Sequence, residues 1–98
     1  MIDLKKIQKA VYQNKVDKGF NTSNIYQEFC LLYEEVGEAY QAYDRKLPDL
    51  PHELADVAIF ILGIAEILDI DLEQAIQEKL EINKDRVYTW VDGVPVRS

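Results

Sequence analysis

With 98 residues, the chain is near the lower length at which one hydrophobic core suffices, so residues 1–98 read as a single domain. Eighteen acidic against 11 basic residues give a formal charge of −7, which excludes non-specific binding to a nucleic acid polymer but not to a nucleotide arriving with a divalent cation. The lone Cys30 can close no internal disulfide, MIDLKKIQKAVYQN is amphipathic and unlike a signal peptide, and the apolar run Val57–Leu68 is interrupted by Glu66 and too short to span a membrane, so a cytoplasmic protein is expected.

Leu4, Ile7 and Val11 recur at helical spacing and Gly19 follows Lys18 as a stop, which predicts a first helix over about residues 3–17. NTSN supplies capping residues for a second helix over roughly 23–45, ended by KLPDLP. Pro51 suits the first turn of a third helix that runs to about Leu68. Asp71 with Gln74 three residues later resembles a capping box for a fourth helix over about 72–86. The tail, residues 87–98, is rich in β-branched and aromatic residues around Asp92-Gly93, a two-residue hairpin signal, with Pro95 confining the second strand to an edge. The expected fold is all-α, a four-helix bundle with a short C-terminal extended tail or β-hairpin.

The faces of the helices single out some of the acids. On helix 2 the main apolar stripe is Ile25, Phe29, Leu32, Val36, Tyr40 and Tyr43. Glu34 points away from it and reads as solvated. Glu35 and Glu38 instead interrupt a second, weaker stripe in line with Leu31 and Ala42. On helix 3, Leu54, Val57, Ile61, Leu62, Ala65 and Leu68 fill one face, while Glu53 and Asp56 share the other with Phe60, Gly63 and Ile67. A helix apolar nearly all round is buried nearly all round, so both acid pairs fall on semi-buried surfaces. The pairs Glu66/Asp69 and Glu78/Glu81 read as solvated. Residues three apart on a helix are neighbours, so each semi-buried pair forms a two-carboxylate claw. Two such claws facing each other repel by roughly 4 kcal/mol per close pair at an effective dielectric of 20, and an oxygen-seeking cation relieves this. With no paired His or Cys, Mg²⁺ fits, or Mn²⁺, in preference to zinc. His52 precedes Glu53 and does not supply the Glu-x-x-His of di-iron bundles.

Helix 4 carries the opposite charge. Its inner stripe begins with Leu72, Ala75 and Ile76 and continues as Lys79, Asn83 and Arg86. Snorkelling at a helix C-terminus is one reading of those three; donors to phosphate oxygens is the other.

The ordered set Glu35-Val36-Gly37-Glu38, Glu53-Leu54-Ala55-Asp56 and Lys79, Asn83, Arg86, spanning about residues 28–88, resembles the all-α nucleoside triphosphate pyrophosphatases, the MazG-like superfamily. The resemblance implies a Mg²⁺-dependent enzyme that hydrolyses a nucleoside triphosphate to the monophosphate and pyrophosphate. Glu35, Glu38, Glu53 and Asp56 are then the metal ligands and catalytic acids, one of them a candidate general base, and Lys79, Asn83 and Arg86 the phosphate donors. It also implies a bundle completed by oligomerisation, a homodimer or homotetramer, which suits the all-round apolarity of helix 3. The base pocket is sought first at Tyr12, Asn14, Lys15 and Phe20. Alternatives are a phosphoribosyl-ATP pyrophosphatase-like enzyme, which shares the acid motifs, and a non-enzymatic helical interaction module with a degenerate metal site.

Overall fold

A computed structural model describes residues 2–98. Four helices follow one another, α1 (Leu4–Asp17), α2 (Ile25–Asp44), α3 (Leu50–Ile67) and α4 (Leu72–Lys84), and a hairpin of β1 (Tyr88–Val91) and β2 (Val94–Arg97) closes the chain. The expected all-α bundle with a terminal hairpin is therefore what forms. Local chemistry sets the boundaries. Asp3, Asn24 and Asp71 cap α1, α2 and α4 by accepting from the backbone N–H groups of Lys6, Gln27 and Gln74. Pro51 stands in the first turn of α3, where its missing N–H is no loss. Asp92 and Gly93, both at positive φ, turn the hairpin so that Tyr88 pairs with Arg97 and Trp90 with Pro95.

α2 packs along α3, α1 lies on α3, and the substantial packing of α4 is on α1 alone. α1 crosses α3 at Gly63, where a Cβ would sit at contact distance, 3.4 Å, from the Val11 side chain. The buried apolar residues are few: Ala39 and Ala42 on α2, and Leu62, Ile64 and Ala65 on α3. The radius of gyration is 16.5 Å, against about 12.6 Å for a compact domain of this length. The hairpin is exposed throughout and α4 buries no residue, which accounts for the extended shape.

Two expectations about faces need correction. The main apolar stripe of α2 does not form the core of the chain: Phe29, Val36, Tyr40 and Tyr43 are exposed, and Ile25 and Leu32 only half-buried. The weaker stripe packs instead, with Glu28, Ala39 and Ala42 buried and Leu31 and Glu35 half-buried. Small alanines let α3 come close, which a row of aromatic side chains would prevent. On α3 likewise Leu54, Ile61 and Leu68 remain open, while Gly63 and Ile64, from outside the expected main stripe, are buried. The result is an apolar groove over Phe29, Leu32, Ile61, Ala65 and Leu68 on the outside of the α2–α3 pair.

Candidate functional site

The weaker stripe of α2 carries its acids into the seam with α3. Glu35, Glu38 and Glu53 each offer a carboxylate oxygen, and the three oxygens lie within 4.8 Å of one another. Glu35 and Glu53 are half-buried and Glu38 is exposed, so the cluster opens to solvent on one side. One oxygen of Glu35 and one of Glu53 are buried without any hydrogen-bond partner. Such atoms normally find a donor, and an orphaned pair leaves the cluster short of positive charge. Among the described residues no Lys or Arg forms a salt bridge with any of these acids.

The electrostatics follow from that geometry. Burial, then the Glu38 and Asp56 carboxylates, push the Glu35 carboxyl above the usual range. Burial raises Glu53 too, with Asp49, Glu38 and Asp56 adding to it and His52 opposing it. Asp56 is exposed and stands outside the three-oxygen group, yet near enough for its charge to act on both. A set of carboxylate oxygens with orphaned lone pairs and no nitrogen or sulfur ligand is compatible with a hard divalent cation.

The cationic stripe is not brought to these acids within one chain. α4 starts beyond the far end of α3, which lies roughly 21 Å along the helix axis from Glu53, and packs on α1. Lys79 and Asn83 are exposed. Arg86 lies just past the helix, which ends at Lys84, and its N–H donates to the Asn83 carbonyl at 3.2 Å. Glu78 and Glu81 are exposed as expected. Glu66 is not fully solvated: its Oε1 accepts from the buried Gln8 Nε2 at 3.0 Å, and the same nitrogen donates to the Ile70 carbonyl at 2.7 Å.

Of the positions named for a base pocket, Asn14, Lys15 and Phe20 line one cavity together with Ile59 and Phe60, and Tyr12 does not. Its wall includes Glu28, which the reading of the sequence passed over and which is 1 % exposed. Lys15 of α1 pairs with Glu28 Oε1, and Asn21 Nδ2 donates to Oε2 at 3.1 Å. The available signal was its position seven residues before Glu35, on the same face of α2.

Over 66 residues the chain is 41% identical to a protein of Cyanophage S-2L named dATP/dGTP diphosphohydrolase, a match that covers 67% of this chain. The chain spans 60% of the length of that relative. No protein-family model matches the chain. No solved structure matches it either. Among the described residues no helix is long and apolar enough to cross a membrane.

Proposed function

We propose that the protein is a divalent-metal-dependent nucleoside triphosphate pyrophosphohydrolase of the MazG-like kind that works as a homo-oligomer. The observation that carries this reading is the convergence of Glu35, Glu38 and Glu53 with two buried, unpartnered oxygens. The likeness to a dATP/dGTP diphosphohydrolase supports it and favours purine deoxynucleoside triphosphates over phosphoribosyl-ATP. A bare interaction module has no use for an intact set of four acids left without cationic partners.

Glu35, Glu38, Glu53 and Asp56 hold the cation, Mg²⁺ or Mn²⁺. When bound, it neutralises phosphate charge and lowers the pKa of an attacking water. Water adds across the anhydride between the α and β phosphorus atoms, one of the carboxylates accepts its proton, and the nucleoside monophosphate and pyrophosphate part. The charge on the leaving pyrophosphate needs fixed donors, and Lys79, Asn83 and Arg86 have the chemistry for it. Since α4 packs away from α2 and α3 in the single chain, these donors come from a second copy seated on the open α2–α3 face. Assembly and catalysis are thereby one requirement.

The test is release of pyrophosphate from each of the common nucleoside triphosphates, with Mg²⁺ and with chelator. Release confined to the Mg²⁺ samples and lost in Glu38→Gln supports the reading. No release with any nucleotide, from protein that remains folded and oligomeric, overturns it.

A further inference from the structure

Glu28 is the most deeply buried charged group described in the chain, and metal binding has no use for it. Its pairing with Lys15 is not explained by stability, because a buried ion pair gains little or nothing over an apolar pair of the same shape. What distinguishes this pair is its place at the wall of two neighbouring cavities, of about 130 Å³ and 300 Å³. Both are lined by Lys15, Phe20, Glu28 and Phe60. The Lys15 ammonium also stands 5.7 Å from the centre of the Phe60 ring, which helps fix it. The space is thus walled by two aromatic rings and by one carboxylate paired with an ammonium.

Its distance from the acid cluster suits a nucleotide. Glu28 precedes Glu35 by two helical turns, roughly 10 Å along the axis of α2. On α3, which runs back along α2, Phe60 follows Glu53 by the same two turns. The carboxylate cluster and this pocket therefore lie in the same direction along α2 and α3, two helical turns apart, a spacing on the scale of a nucleotide's sugar.

The geometry points to Glu28 as a specificity-determining residue that reads the nucleobase, with Lys15 and Asn21 as the residues that position it; this rests on the nucleotide hydrolysis proposed above. Each carboxylate oxygen has about two acceptor sites. Lys15 uses one site on Oε1 and Asn21 one on Oε2, which leaves each oxygen one further acceptor site, a pair in all. Guanine matches that pair with N1–H and its 2-amino group side by side. Adenine offers its 6-amino group alone. Thymine and uracil flank their single N–H with carbonyl oxygens that the carboxylate repels. Phe20 and Phe60 supply the faces against which a purine ring packs.

The experiment compares kcat/KM for dGTP and dITP, which differ only by the 2-amino group, and for dTTP. It uses the wild type, Glu28→Gln, and the double variant Lys15→Met/Glu28→Leu, and adds calorimetric binding of dGMP and dIMP. Loss of one hydrogen bond to a charged group predicts a wild-type preference for dGTP over dITP of roughly tenfold or more. The double variant removes the whole pair, stays folded and loses that preference. Where the double variant fails to fold, the test passes to Glu28→Gln, which keeps the shape and must narrow the dGTP/dITP ratio. Equal use of dGTP and dITP by the wild type, or a preference that survives in a folded double variant, overturns the assignment and leaves the hydrolysis standing. Absence of hydrolysis with base-selective binding of dGMP that the double variant loses sinks the enzyme reading and keeps the assignment. Absence of both overturns both.

Discussion

The open apolar face of α2 and α3 makes a sharp prediction through Ile61, which is 40% exposed in the single chain. Burying an Ile completely contributes ~1.5–3 kcal/mol, so covering its open part contributes about 1 kcal/mol per subunit. An aspartate there loses that term and leaves a carboxylate without a partner at the covered surface, which costs a further ~2 kcal/mol or more. In a twofold-symmetric contact the change occurs twice, about 6 kcal/mol in all. That corresponds to an association weakened by roughly four orders of magnitude. In the isolated subunit the carboxylate turns to solvent through the open side. Ile61→Asp should therefore convert a micromolar oligomer to monomer by light scattering. The melting temperature of the wild type should rise with protein concentration, because assembly stabilises only the folded state. Ile2→Asp, at a site 75% exposed, is the control and should change neither mass nor melting. A wild type that is already monomeric at micromolar concentration, or an Ile61→Asp protein with the wild-type mass, would refute the reasoning.

Arg86→Ala and Lys79→Ala should each lower turnover by ~2 kcal/mol or more, the scale of a lost charge-assisted contact, whereas Lys84→Ala should be nearly silent. Mixed under conditions that exchange subunits, the weakened Arg86→Ala and Glu38→Gln proteins should recover activity above the sum of the two alone, since one hybrid site then has both intact parts; no recovery would mean the donors act within their own chain. For pH, Glu35 and Glu53 have raised pKa values in the folded, metal-free protein, so the folded state holds protons that the unfolded state has already released. Their contribution is fully present below the ordinary glutamate pKa and is lost as pH rises through the raised values. Melting in chelator across about pH 4 to 7 should therefore fall less steeply for Glu35→Gln/Glu53→Gln than for wild type, and parallel curves would contradict it. Asp71 contributes with the opposite sign, its carboxyl lowered by the Gln74 N–H and by Lys5, which is why the wild-type-minus-variant difference is the quantity to read.

What the sequence made legible was local. Asn24, Asp71 and Gln74, Pro51 and Asp92-Gly93 each act through a neighbour a few residues away, and the element boundaries they imply hold to within about two residues. The grouping of Glu35, Glu38 and Glu53 was also legible, because three-residue spacing and a half-apolar face are properties of one helix at a time, whereas Asp56, read as the fourth member, stands outside the three-oxygen group. The orientation of α2 was not. Periodicity finds the most apolar stripe, that of Phe29, Val36 and Tyr43, but not which body covers it; here the single chain leaves that stripe open and packs on Ala39 and Ala42. The buried polar residues were hidden for another reason. Gln8 is satisfied by Glu66 and Ile70, and Glu28 by Lys15 and Asn21, partners brought together only by the fold. Arg86 shared the periodicity of α4 but fell just past its end at Lys84.

On the reading proposed above, the Glu35, Glu38, Glu53 and Asp56 carboxylates together hold a divalent cation. Titration with Mn²⁺, with the free ion followed by its electron paramagnetic resonance signal, tests this without any substrate. Wild type should take up Mn²⁺ in competition with Mg²⁺, and Glu35→Gln and Glu53→Gln, which remove the charge of the two carboxylates with orphaned oxygens, should leave the ion free. Glu78→Gln and Glu81→Gln, on the exposed surface of α4, should bind as wild type does. Uptake that is equal in all of these proteins would contradict the account.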